Sequence, residues 1–162
     1  MNIRIICIGK LKESFIREAQ QEYLKRLSKY CKIEIIELAD EKIPAKAFEA
    51  DEKCIKEKEC AKILKEIEKI SKPYVFAMDL KGKQLTSTEF AENIENVATY
   101  SSTANLVFII GGSLGLTDEV LNKCNEKLAF SKLTFPHQLF RIFLLEQIFR
   151  AFKINNNEIY HK

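Results

Sequence analysis

The run NLVFII, Asn105 to Ile110, constrains this chain more than any other stretch. Its apolar residues follow one another with no polar alternation. A strand of this kind has no face to offer water, so it is expected to be covered on both sides. That condition is met by parallel sheets with helices on both faces. An α/β architecture with a mainly parallel sheet is therefore the first expectation.

The rest of the chain agrees. IRIICIG (Ile3 to Gly9) reads as a buried strand closed by glycine. Glu13 to Lys29 places Phe15, Ile16, Ala19, Tyr23, Leu24 and Leu27 at helical spacing. KIEIIEL (Lys32 to Leu38) alternates as a strand. A polar loop with Pro44 leads to a charged helix over Ala47 to Ile70, whose Cys60, Ile63, Leu64, Ile67 and Ile70 keep one face. On it, Glu49/Lys53 and Glu52/Lys56 are spaced for i,i+4 pairing on a solvated face. Tyr74 to Leu80 is the next strand, followed by an expected turn at Lys81-Gly82-Lys83. Thr86 with Glu89 forms a capping box that opens a helix to about Thr99. A short helix starts near Thr117, with Asp118 and Glu119 in its first turn. LAFSKLTF (Leu128 to Phe135) reads as the last strand, and Pro136 then opens a helix to about Phe152. There is no hairpin signal, repeat or linker, so residues 1–162 are expected to form one domain.

Composition excludes several classes. Apolar residues make up 46% and charged residues 30%, ordinary for a globular protein. A net charge of +3 is too small to argue nucleic-acid binding by itself and does not forbid it. Five cysteines without a C-x-x-C, and only two histidines, argue against structural zinc and for reduced thiols in a cytoplasmic protein. The N-terminus MNIRIICIGKLK lacks the features of a signal peptide. No run approaches about 18 uninterrupted apolar residues, so no membrane partner is expected.

In open α/β sheets, ligands bind at the carboxyl ends of strands. Three such ends carry chemistry: Met78-Asp79-Leu80 with KGK, IIGGSLGL, and SKLTFPH. GGSLG can let backbone N–H groups approach a ligand, or can be a tight turn between strand and helix. It is neither a P-loop nor a G-x-G-x-x-G fingerprint, which weakens an oxidoreductase reading. SKLTFPH can wrap an adenine by main-chain hydrogen bonds, or can simply lead into a proline-capped helix with His137 at its start. The last helix is apolar at 139, 140, 142 to 145, 148, 149 and 152, well over half its circumference. Glu146 and Arg150 are spaced to pair. A partner subunit covering the extra faces would account for the pattern.

The segments FIIGGSLGL, FSKLTFPHQLFRIFLLEQIFRAFKI and the terminal YHK closely resemble the RlmH family, and ICIGKLKESFIREAQQEYLKRL resembles that family's opening segment. These are small SPOUT-class methyltransferases of bacterial large-subunit ribosomal RNA. The resemblance covers nearly the whole chain. It implies a C-terminal trefoil knot, a homodimer, and S-adenosylmethionine as methyl donor with no metal. It implies N3-methylation of pseudouridine 1915 of 23S rRNA in the ribosome. Carried over by motif, the donor would touch Met78, Gly111, Gly112 and the segment Phe130, Ser131, Lys132, Leu133, Thr134 and Phe135. Met78 stands where relatives often have leucine, a volume-conserving change.

Methyl transfer from a sulfonium is mainly a positioning problem. The acceptor N3 carries a proton that must be lost, so a base, or groups that stabilise the ring oxygens, is needed. His137, Arg141, Tyr160 and His161 are the candidates, the tail pair foremost as substrate-positioning groups, with the identity of any base open. A non-catalytic ribosome- or RNA-binding module on the same fold is the rival reading. Whether free RNA, a subunit or the ribosome is the substrate stays open.

Overall fold

A computed structural model describes residues 1–100 and 105–160, without the side chain of Tyr100. Five strands form one parallel sheet: β1 (Asn2–Ile8), β2 (Lys32–Leu38), β3 (Pro73–Gln84), β4 (Asn105–Ile110) and β5 (Glu126–Ala129), in the order β2-β1-β4-β3-β5. The helices are α1 (Ser14–Leu27), α2 (Glu49–Glu68), α3 (Ser87–Tyr100), α4 (Asp118–Lys123) and α5 (His137–Asn155). β4 lies between β1 and β3, pairing Ile5 with Phe108 and Phe76 with Phe108.

The central strands alternate between two cores. Ile3, Ile5, Cys7, Phe76, Met78, Leu106, Phe108 and Ile110 point to the side covered by α1, α3 and α5. Ile6, Ile8, Val75, Ala77, Val107 and Ile109 point to the side covered by α2 and α4. Both faces of NLVFII are thus covered, as its composition requires. Phe76 and Phe108 stack at 4.9 Å in the first core.

Two helix starts form as their sequences indicate. Thr86 N–H donates to Glu89 Oε2 at 2.7 Å, and Glu89 N–H donates back to Thr86 Oγ1 at 3.2 Å. Thr117 caps α4 through the Val120 N–H. The pairs on α2 do not form: neither Glu49/Lys53 nor Glu52/Lys56 is within ion-pair distance. Lys62 instead bonds Glu41 and the Ala39 carbonyl, which pins the loop after β2 onto α2.

Two segments differ from expectation. Lys81-Gly82-Lys83 is not a turn. β3 runs on to Gln84, and its register with β5 slips between Met78 and Lys83. Gly82 is needed because β5 crosses it closely: a Cβ there would lie 2.5 Å from the Leu128 nitrogen. The last strand ends at Ala129, not Phe135. The chain then bends, with Ser131 Oγ accepting the Leu133 N–H at 2.9 Å, and reaches α5 without rejoining the sheet.

α5 is covered mainly by its own chain. Leu144, Leu145, Ile148, Phe149, Ala151 and Phe152 are buried between α1, α3 and the sheet. Leu139 and Phe143 stay exposed, at 37% and 44%. Glu146 and Arg150 do pair, at 2.6 Å.

Candidate functional site

Two cavities flank the end of β4. The first, of about 540 Å³, lies toward β3 and β5. Its wall is built from Met78 to Leu80, Ile110 to Ser113, and the bent segment after β5. This is the volume of an ordinary small-molecule site. Of the residues the sequence points to, it gathers Met78, Gly111, Gly112, Phe130, Ser131, Leu133, Thr134 and Phe135. Lys132 is exposed and does not line it. The bend after Ala129, rather than a continued strand, turns this segment into a wall.

GGSLG is both a turn and a rim. Gly115 N–H donates to the Gly112 carbonyl at 3.0 Å, and Gly115 sits at φ +77°. A Cβ on Gly111 would press on Leu116 at 3.0 Å and on the Gly115 backbone. A Cβ on Gly112 would meet Glu59 Oε2 at 2.5 Å and Ile8 at 3.2 Å, outside the first cavity.

The second cavity, of about 370 Å³, lies on the β1 and β2 side. It is bounded by Ile8, the loop from Asp40 to Ile43, and Glu59 of α2. Gly112, Ser113 and His137 line both cavities.

His137 is half-buried and makes no hydrogen bond among the described residues. Its pKa is pushed below 6.5, first by burial and then by Arg141, against the opposing pull of Asp40 and Glu59. The imidazole is neutral near pH 7 and free to donate or accept a hydrogen bond.

Arg141 lies apart from both cavities. Its side chain is 1% exposed and committed to protein groups. Nη1 donates to Glu37 at 2.5 Å and to Gln20 at 3.3 Å, and Nη2 donates to the Gly9 carbonyl at 2.9 Å. It ties α5 to the end of β1 and lines neither cavity. Tyr160 lines neither cavity within one chain. Its ring packs edge-on to Phe149 at 5.2 Å under Arg150, and its hydroxyl donates to Glu146 at 3.3 Å. Tyr160 is therefore docked on α5 rather than turned toward either cavity of its own chain. His161 lies outside the described residues.

Sequence reading missed Glu59, on a helix that looked merely solvated. The signal was present: Glu59 falls four residues after Ile55 and four before Ile63, on the buried face of α2. Among the described residues, no group of His, Cys, Asp and Glu could hold a metal ion. No described helix is long and apolar enough to cross a membrane.

The family model described as "Predicted SPOUT methyltransferase" matches residues 1–161. The chain is 55% identical, over the full length of both proteins, to "Ribosomal RNA large subunit methyltransferase H 1" of Clostridium perfringens. It is 56% identical over the same span to "Ribosomal RNA large subunit methyltransferase H" of Clostridium botulinum. A solved structure of a probable methylase family protein from Haemophilus influenzae superposes with a TM-score of 0.56 at 17% identity, covering 99% of this chain and 70% of that one, and so shares the fold. The complete-length identity and the parallel sheet together place this chain in the SPOUT methyltransferase family, in the group of ribosomal RNA large subunit methyltransferases H.

Proposed function

We propose that the protein methylates N3 of pseudouridine 1915 in 23S rRNA, using S-adenosylmethionine, as a cytoplasmic homodimer whose C-terminal segment is threaded as a trefoil knot. The observation that carries this reading is the first cavity, at the carboxyl ends of β3, β4 and β5. The names of the full-length relatives supply the class of RNA.

The residues present fit the donor. Met78, Ile110, Leu116, Phe130 and Phe135 offer an apolar slot for an adenine ring. Glycines at the rim allow close backbone approach. Asp79, half-exposed at the mouth, places negative charge near a cationic ligand. When bound, the donor supplies an electrophilic methyl group on a sulfonium. The chain's own contribution is to hold the acceptor nitrogen in line with that methyl and to exclude water. His137, shared by both cavities, is positioned to bond a ring carbonyl of the acceptor base. Lys132 would meet the donor only from the rim. Arg141 acts by fixing the β1 end, while Tyr160 and His161 would position substrate across a dimer.

Titration calorimetry with S-adenosylmethionine, followed by mass spectrometry of ribosomal RNA treated with enzyme and donor, tests the reading. Binding and a single added methyl group on the pseudouridine are expected. Binding of ribosomes without donor binding would replace the enzyme by a non-catalytic module.

A further inference from the structure

The second cavity contains a carboxylate with one oxygen in use and one free. Glu59 is 5% exposed. Its Oε1 accepts the Glu41 N–H at 3.0 Å, whereas Oε2 has no hydrogen-bond partner among the described residues and lies at the Gly112 end of the cavity. The adjacent cation on α2, Lys62, is engaged by Glu41 and the Ala39 carbonyl, and Asp40, Glu41, Lys42 and His137 are the other charged or titratable groups lining this cavity. Pinning one backbone N–H requires only a neutral acceptor such as glutamine. Oε2 opens on the cavity, so its lone pairs can meet a donor that enters there.

We propose that this cavity receives the acceptor base and that Glu59 Oε2 takes the proton from its N3. The inference rests on the function proposed above. An ionised carboxylate only accepts hydrogen bonds. It therefore selects a ring with N–H at this position, as in uracil-type bases, over a cytosine-type ring whose N3 is itself an acceptor. A base so placed must be turned out of its stack, as enzymes that modify bases require. Gly112, Ser113 and His137 form the boundary between this cavity and the donor's, so N3 and methyl approach from opposite sides. The N3–H bond breaks toward Glu59 and the N3 electron pair forms the bond to the methyl carbon. The carbon–sulfur bond breaks with its pair remaining on sulfur, and the carboxylic acid then releases its proton to water.

Glu59→Gln tests this, because the amide oxygen can still accept the Glu41 N–H. We expect an unchanged melting temperature and unchanged S-adenosylmethionine affinity, with methylation slowed about 100-fold or more. The residual rate should climb about tenfold per pH unit as N3 ionises unaided, a steeper rise than the wild-type rate shows. A variant that methylates at the wild-type rate, loses donor affinity in step with rate, or does not fold overturns the assignment. Failure of the underlying reading looks different: the wild-type protein would then neither bind the donor nor methylate RNA.

Discussion

At the scale of single residues, charge burial separates structural groups from those facing a ligand. Arg141 and Glu59 are both buried, but both Nη atoms of Arg141 bond protein groups and its unpartnered Nε faces neither cavity, whereas Glu59 Oε2 opens on the second cavity. Arg141 spans α5, β1, β2 and α1 through three partners. Arg141→Leu would leave the Gly9 carbonyl and Glu37 without their donor. The expected loss is about 3 kcal/mol, the low end for a broken buried pair, because Glu37 remains partly in water. Chemical denaturation would measure it. His137 adds a pH dependence of definite sign. Its folded pKa lies below 6.5, so folding favours the neutral ring. That stability is present above 6.5 and is lost as pH falls through the folded value. His137→Gln should therefore lose less thermal stability than wild type between about pH 7 and about pH 5, read by melting curves. Identical acid sensitivity in both proteins would remove His137 as a source.

Among elements, β3 and β5 decide the shape of the first cavity, proposed above to hold the donor. β5 is short, and its continuation forms the apolar wall. Its position depends on Gly82, where backbone passes within the space of a Cβ. Gly82→Ala is expected to push Leu128 away, lower the melting temperature and weaken donor binding together. Gly115 is the informative contrast. It has open space around its Cα, but φ is +77°. Gly115→Ala should cost only the left-handed backbone penalty, about 1 kcal/mol. Parallel melting curves and donor titrations on the two variants would distinguish close approach from backbone conformation. The docked end of the chain belongs to this scale as well. Tyr160 against Phe149, Arg150 and Glu146 gives α5 a cover that a short polar tail did not suggest.

For the whole molecule, the exposed apolar residues near the site bear on assembly. Leu139 and Phe143 sit one turn apart on α5, and Leu133 on the adjoining segment is 69% exposed. Phe143 packs edge-on to Phe135, which lines the donor cavity. A second copy covering this strip would meet the site wall directly, consistent with the proposed homodimer. Phe143→Asp should produce a folded monomer, or weaken the dimer about 30-fold or more, since a central aromatic anchor is worth about 2 kcal/mol or more. Sedimentation velocity at micromolar concentration would show it. Wild-type protein that sediments as a monomer would contradict the dimer.

The sequence by itself determined the layers. NLVFII could satisfy its side chains only with helices on both faces, and the alternation of Ile5 and Ile6 into opposite cores follows from the two-residue period of a strand. Capping at Thr86 and Thr117 was equally local, because each uses groups three residues apart. Most of the wall of the first cavity, proposed above for the donor, could be named from glycines and one contiguous segment. Tertiary structure alone decided what lies across sequence distance. Gly82 looked like a turn because the crossing of β5 is invisible locally. How much of α5 the chain itself covers was hidden, because α1 and α3 are far away in the sequence. Arg141 stood as a catalytic candidate, and only the fold shows Gly9, Gln20 and Glu37 around its guanidinium. Glu59 read as solvated until packing enclosed it beside Gly112. Helix and strand periods set which face a residue occupies, whereas only the closed fold sets what that face meets.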